Sequence, residues 1–87
     1  MPYIPQRQRD LLDPIIGQFG AVVGGEWAGC LNYIITRLCL MFFNEKPSYG
    51  RIASVTGVLE NVKQELYRRR FAEYEMKKHA ENGDVFQ

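Results

Sequence analysis

The stretch that decides the fold reads Glu26-Trp-Ala-Gly-Cys-Leu-Asn-Tyr-Ile-Ile-Thr-Arg-Leu-Cys-Leu-Met-Phe-Phe43. As a helix it is apolar on almost every face, and such a helix is surrounded either by protein or by lipid. Its longest run without a charge, 27–36, is about half of the roughly 20 residues that a bilayer requires. We therefore predict a buried helix over residues 26–43 and no membrane span.

The chain before this helix predicts an arm over residues 1–9, a short helix over about 10–19 and a glycine-rich turn over 20–25. The first helix is predicted because apolar residues recur there at helical spacing. These residues are Leu11, Leu12, Ile15, Ile16 and Phe19. Pro14 is compatible with an early helical position if Asp10 or Asp13 is the N-cap. Glycines at 17, 20, 24 and 25 then favour a turn over continued helix.

The chain after it predicts one long helix over residues 48–82. Ser48 is a suitable N-cap, and Gly83 suits the conformation that ends helices. Gly57 is a candidate break, since an interior glycine costs about 1 kcal/mol relative to alanine. The fold class is therefore all-α, a small bundle of about three helices with a long C-terminal helix, in one domain over residues 1–87.

Size and cysteine positions predict a homo-oligomer. At 87 residues a single core gives only a marginal surplus over conformational entropy. Cys30 and Cys39 lie about 13 Å apart on opposite faces of one helix, so an intrachain disulfide is excluded. His79 is the only histidine, which argues against a zinc site. With neither type of cross-link in prospect, association with further copies is the remaining source of stability.

The net charge indicates which binding partners are disfavoured, and the N-terminal sequence and the cysteines indicate the cellular compartment. The net charge of +1 is too small to indicate indiscriminate binding of DNA or of an anionic membrane. The N-terminus shows no pattern of a secretory signal, and two unpaired cysteines fit a reducing cytosol. We expect a cytoplasmic protein.

The long helix carries two apolar stripes. The first is a core stripe for packing on the earlier helices, formed by Ile52, Val55, Leu59, Val62 and Leu66. Beyond it, Tyr67, Phe71 and Tyr74 share a face that is rotated by about 120° at regular helical spacing. One small core cannot use both, so the aromatic stripe needs another chain, a ligand or the returning tail.

Cationic side chains accompany the aromatic stripe. Arg70 and Lys77 lie beside it and Lys78 lies on it, a combination that suits a planar anionic ligand through stacking and phosphate pairing. The alternative is a solvated face in which Glu73 and Glu81 pair with Lys77, and the pattern alone favours that alternative.

Four polar residues interrupt the apolar helix in two pairs at i,i+4 spacing. Asn32 and Thr36 are predicted to be structural polar groups that link helices, because an unpaired buried polar group costs roughly 1–3 kcal/mol. Tyr33 and Arg37 form the second pair. Either Arg37 pairs with a carboxylate such as Glu60 or Glu65, or Tyr33 and Arg37 line a pocket at a subunit boundary with the arginine as an anion anchor.

Catalytic and metal motifs are not found. The sequence contains no G-x-x-x-x-G-K-[ST], H-E-x-x-H or C-x-x-C pattern. We expect no enzymatic activity, no metal and no cofactor.

Several segments resemble a family of short, largely uncharacterised proteins of tailed bacteriophages and prophages. They are Gly29–Thr36, Ser48–Ile52, Gly57–Glu60, Glu65–Arg69 and Tyr74–Asp84, together with the Met-Pro-Tyr-Ile-Pro opening. Where many members have a proline before Tyr-Glu, this chain has Glu73, so its long helix is expected to run on. The resemblance implies a small helical phage protein, and it transfers no established chemistry.

A phage origin suggests an anti-defence sponge that sequesters a nucleotide-derived immune signal in the cytoplasm of an infected bacterium. The ligand would be a cyclic oligonucleotide or an ADP-ribose derivative, held by Tyr33, Arg37, Tyr67, Arg70, Phe71, Tyr74, Lys77 and Lys78. The alternatives are a protein–protein module that adapts or inhibits a host protein, and a minor virion or packaging component. Nucleic-acid binding through residues 68–70 is disfavoured by the weak net charge.

Overall fold

The computed structural model describes residues 3–86, and these residues form helices and turns without a strand. The helices are α1 (Gln6–Val23), α2 (Trp27–Glu45), α3 (Tyr49–Leu66), a five-residue π turn (Tyr67–Phe71) and α4 (Ala72–Asn82). The prediction of an all-α chain of three helices, with a long C-terminal one, is confirmed. By its internal contacts the chain divides into two compact units, residues 2–55 and 56–87.

Helix α1 is longer at both ends than predicted. It begins at Gln6 because the amides of Gln8 and Arg9 donate to the Pro5 carbonyl, at 2.9 and 3.1 Å. Pro14 consequently lies in the interior of α1 instead of its first turn. The ring removes one backbone hydrogen bond, but the carbonyl of Asp10 that loses it lies at an exposed position, where water replaces the missing donor. Residues 1 and 2 of the predicted arm lie outside the described part.

The glycine-rich turn is two residues long. Ala21 to Val23 continue α1, and the helix ends at Gly24, which has a φ of 66° and a ψ of −134°. This backbone conformation is open to glycine and strained for other residues. Gly20 lies within the helix, where an added Cβ would lie 4.0 Å from the Trp27 ring.

The apolar sequence of α2 predicts a helix that is buried on all sides. The structure differs, because many of its large apolar side chains are exposed. Val23, in α1, is the only buried side chain among residues 3–86. Trp27, Leu38 and Met41 are 50–65% exposed. Much of the apolar surface of α2 is therefore left uncovered by the rest of residues 3–86.

The half-buried residues of α2 lie on two opposite sides. Cys30 and Ile34 are half-buried near its N-terminus, and the Cys30 thiol lies 3.9 Å from the Val23 carbonyl oxygen. Cys39 and Phe43 are half-buried near its C-terminus. Each pair is nine residues from the other, which is about half a turn round the helix. Both cysteines are free thiols.

Helix α3 starts as predicted and passes through Gly57 without a break. Ser48 is its N-cap, since the Arg51 amide donates to the Ser48 hydroxyl at 3.1 Å. The helical assignment runs from Tyr49 to Leu66. The cost of one glycine is too small to end a helix whose hydrogen bonds continue on both sides.

The predicted core stripe of α3 is exposed at every position but Val55, with Ile52 in the first turn 46% exposed. Val55 is half-buried, whereas Leu59, Val62 and Leu66 are 41–46% exposed. Because α1 and α2 belong to the other unit, the packing of these three side chains on the earlier helices stays a prediction. They form an exposed aliphatic row in the unit of residues 56–87.

Candidate binding site at the π turn

The π turn lies in the middle of the predicted site, at Tyr67-Arg68-Arg69-Arg70-Phe71. The amide of Ala72 donates to the carbonyl of Tyr67, five residues earlier, instead of the residue four earlier. Leu66 and Ala72 on either side have ordinary right-handed helical backbone. Five residues thus occupy the turn that four would take, and such insertions recur at functional sites.

The inserted residue changes which side chains share a face. Residues after the turn lie about 100° back from their regular positions. At regular spacing, Phe71 lies about 140° from the row formed by Leu59, Val62 and Leu66, and Tyr74 lies about 80° from it. With the π turn, Phe71 lies about 60° from that row and Tyr74 about 20° from it. The predicted aromatic stripe is therefore divided. Tyr74 continues the aliphatic row, and Tyr67 remains about 100° from it.

Two of the three arginines in the turn contact one shared carboxylate. Glu65 is half-buried, and its carboxylate lies 2.9 Å from Arg68 and 3.8 Å from Arg69. Both arginines are thereby directed away from the aliphatic row. The arginine run presents less free positive charge than its sequence indicates.

Arg70 and Lys77 form no ion pair among residues 3–86. The guanidinium of Arg70 donates to the carbonyl of its neighbour Arg69 at 3.4 Å, which leaves its charge uncompensated. Glu81, an expected partner of Lys77, instead accepts from Lys78 at 3.1 Å. Within residues 3–86 the ion pair expected for Lys77 is therefore formed by Lys78, and Lys77 is exposed.

Lys78 also contacts an aromatic ring. Its ammonium lies 5.6 Å from the centroid of the Tyr74 ring, within the range of a cation–π interaction. Tyr74 is 61% exposed and Phe71 is 50% exposed. The π turn and α4 thus hold two accessible rings, Phe71 and Tyr74, and two cations without an ion pair in the described residues, Arg70 and Lys77.

Tyr67 is held by a different contact. Its hydroxyl is hydrogen-bonded to the Glu75 carboxylate, and this bond, the negative charge of Glu75 and slight desolvation raise the pKa of Tyr67. In a regular helix, residues eight apart are about 80° apart; with one inserted residue they come within about 20°. The π turn therefore brings Glu75 over Tyr67, where the sequence had indicated Tyr74.

Tyr33 and Arg37, the two predicted site residues of α2, lie in different surroundings. Tyr33 lines an apolar cleft of about 280 Å³ at the junction of α1 and α2. The other lining residues are Phe19, Val22, Val23, Gly29, Cys30 and Ile34. Arg37 is not part of this lining, and it forms no ion pair within residues 3–86. Glu60 and Glu65, the carboxylates predicted to pair with it, form ion pairs in their own unit with Lys63 and with Arg68 and Arg69.

The remaining polar pair of α2 is satisfied within the helix. The Thr36 hydroxyl donates to the Asn32 side-chain oxygen at 3.4 Å, and both residues are exposed. They form the expected i,i+4 pair, but they link no other helix in the described part of the chain.

One well-defined cluster has no counterpart among the predicted residues. Arg51 lies 4.3 Å over the Phe42 ring, donates to the Phe42 carbonyl at 2.6 Å and pairs with Glu45 at 3.0 Å. Its guanidinium therefore fastens the start of α3 to the end of α2. No spacing rule within one helix could have indicated this contact, since it crosses a turn.

Within residues 3–86, no group of three histidine, cysteine or acidic side chains is placed to hold a metal. No helix there is both long and apolar enough to cross a membrane. Residues 1–85 match the model of the family described as "Domain of unknown function (DUF6899)". The chain belongs to the DUF6899 family. Searches of curated proteins and of solved structures found no match.

Proposed function

We propose that this DUF6899 protein is a non-enzymatic, phage-encoded binding protein that works as a homo-oligomer. Its ligand is a nucleotide-derived bacterial immune signal, which it sequesters without cleaving, in the cytoplasm of the infected host. The observation that carries the proposal is the set of accessible rings and uncompensated cations in the π turn and α4.

The chemistry of the group suits that ligand. Tyr74 and Phe71 offer exposed rings on which a base stacks, and Arg70 and Lys77 offer charges for phosphate oxygens. Neither cation pairs with a carboxylate within residues 3–86, so binding an anion breaks no ion pair in that part of the chain.

The test is recovery of an intact ligand. The purified protein is incubated with cyclic oligonucleotides and ADP-ribose derivatives, washed, and then denatured, and the released compounds are analysed. Intact ligand that appears only after denaturation supports sequestration. The Arg70→Gln variant should release no ligand. The Arg68→Gln variant should release as much ligand as the wild type, because Arg68 is already paired with Glu65. Absence of a thermal shift with every compound would rule out the proposal.

A protein–protein module is the second candidate, and the cleft at the junction of α1 and α2 favours it. The lining of this cleft carries no charged side chain, so it suits an apolar side chain of a partner helix better than a phosphate. If Cys30→Trp, which fills the cleft, abolishes the anti-defence phenotype while leaving ligand recovery intact, this second function is the relevant one.

A further inference from the structure

We infer that two copies of this chain associate through the row formed by Leu59, Val62 and Leu66. The π turn adds Arg70 and Tyr74 to this helix–helix contact, which we call the seam. Both copies thereby contribute to one anion site. The inference rests on the proposed function for the ligand, and on the geometry of residues 56–87 for the seam.

The row has the properties of a helix–helix interface. Its members recur at alternating intervals of three and four residues, the spacing by which apolar side chains face a parallel partner helix. They are aliphatic and 41–46% exposed, and within residues 3–86 no side chain but Val23 is buried. An 87-residue chain with so little buried apolar surface is not stable alone, which makes a constant partner necessary. A second copy is the partner that is always present.

The π turn determines which side chains continue the aliphatic row. With the inserted residue, Arg70 and Tyr74 lie within about 20° of the row's mean direction, and Arg68 lies on the opposite side. Without it, Tyr74 would lie about 80° away. The seam therefore changes at the π turn from purely aliphatic to aromatic and cationic.

Arg70 is a charged side chain within the seam, so it requires a counter-ion. In a parallel pair, equivalent residues meet at the same level, so Arg70 of each copy faces that of the other. Two guanidinium groups brought together out of water repel each other and leave charge uncompensated, and within residues 3–86 no carboxylate pairs with Arg70. A phosphate-bearing anion between them supplies the missing charge and takes hydrogen bonds from both. Tyr74 of each copy, on the same side, supplies the stacking surface.

The test measures dimer dissociation by analytical ultracentrifugation at low salt, with inorganic pyrophosphate as the probe anion. Arg70→Leu removes the repulsion and extends the aliphatic row, so we expect the dissociation constant to fall at least tenfold and to become independent of pyrophosphate. In the wild type, pyrophosphate should lower the dissociation constant. Arg68→Leu is the matched control, because it removes an arginine from the opposite side, and it should do neither.

The outcomes separate the two claims. If Arg70→Leu weakens association or leaves it unchanged, Arg70 is not in the seam and the inference is overturned. If Arg70→Leu tightens association but pyrophosphate has no effect on the wild type, the shared anion site is overturned, and with it the role given to Arg70 in the proposed function. Leu66→Asp should give monomers; because it can also unfold the chain, Leu66→Gln is measured beside it, with helicity followed by circular dichroism.

Discussion

Single residues set the ends and contacts of these helices. Gly24 ends α1 in a backbone conformation that side chains disfavour, and Ser48 begins α3 through its hydroxyl. Tyr67 and Glu75 are joined across the π turn. The two helix ends follow from residue type, and the sequence predicted Ser48 in its observed role. The Tyr67–Glu75 contact depends on an inserted residue, so residue type and regular spacing could not predict it.

Replacing Gly24 with alanine should destabilise the fold by about 1–3 kcal/mol, because the Cβ disfavours a φ of 66° with a ψ of −134°. Chemical denaturation at a fixed chain concentration measures the difference. Gly25→Ala is the control, since Gly25 has open space around its Cβ position and no positive φ. Equal effects of the two substitutions would show that the turn is not held in this conformation.

The hydrogen bond between Tyr67 and Glu75 predicts a pH dependence. The bond keeps the proton on Tyr67, so the folded pKa lies above the unfolded one. Its contribution to stability is therefore fully present below the unfolded pKa of about 10 and is lost as pH rises through the folded pKa. Tyr67→Phe should melt at a lower temperature than the wild type at pH 8, and the two melting temperatures should converge at strongly alkaline pH. A difference that is constant with pH would contradict the contact.

Among the elements, the π turn is the feature that regular spacing misses. The sequence nevertheless carried a signal: the apolar stripe changes direction after Leu66 while the helical pattern continues. We interpreted this change as a second face that needs its own partner. An insertion explains the same change, because it returns Tyr74 to the first stripe. A rotated stripe in an unbroken helix is thus evidence for a π turn as well as for a second interface.

Deleting Arg69 should convert the π turn into regular α-helix. Because the turn is one inserted residue, its removal leaves Tyr74 on the aliphatic row and Glu75 over Tyr67, now at regular helical spacing. We expect retained helicity, retained association through Leu59 and Leu66, and retained ligand binding. Loss of helicity or of ligand binding would show that the turn is not a single inserted residue in a continuous helix.

Helix α1 offers a separate prediction, because Pro14 interrupts its hydrogen bonding. Pro14→Ala restores an amide that can donate to the Asp10 carbonyl, and it should stabilise the protein by up to about 3 kcal/mol. Pro5→Ala is the control, since Pro5 precedes the helix and its nitrogen has no helical partner. A lower melting temperature for Pro14→Ala would indicate that the proline shapes a contact of α1 with another chain.

For the whole molecule, the number of helices and their order could be predicted from apolar spacing, and the burial of their surfaces could not. Spacing reports which residues share a face, but it does not report what covers that face. The sequence indicates that α2 and the stripe of α3 need cover, yet the one buried side chain within residues 3–86 is Val23 of α1. The large apolar side chains of α2 and α3 that remain exposed are therefore the physical basis for expecting an assembly.

The mass of the native protein in solution, measured by light scattering across a dilution series and paired with chemical denaturation, tests the assembly most directly. The account predicts particles whose mass is a whole multiple of 10.1 kDa and an unfolding midpoint that rises with chain concentration, because folding and association are coupled. A monodisperse 10.1 kDa particle that unfolds cooperatively at a midpoint independent of concentration would contradict it.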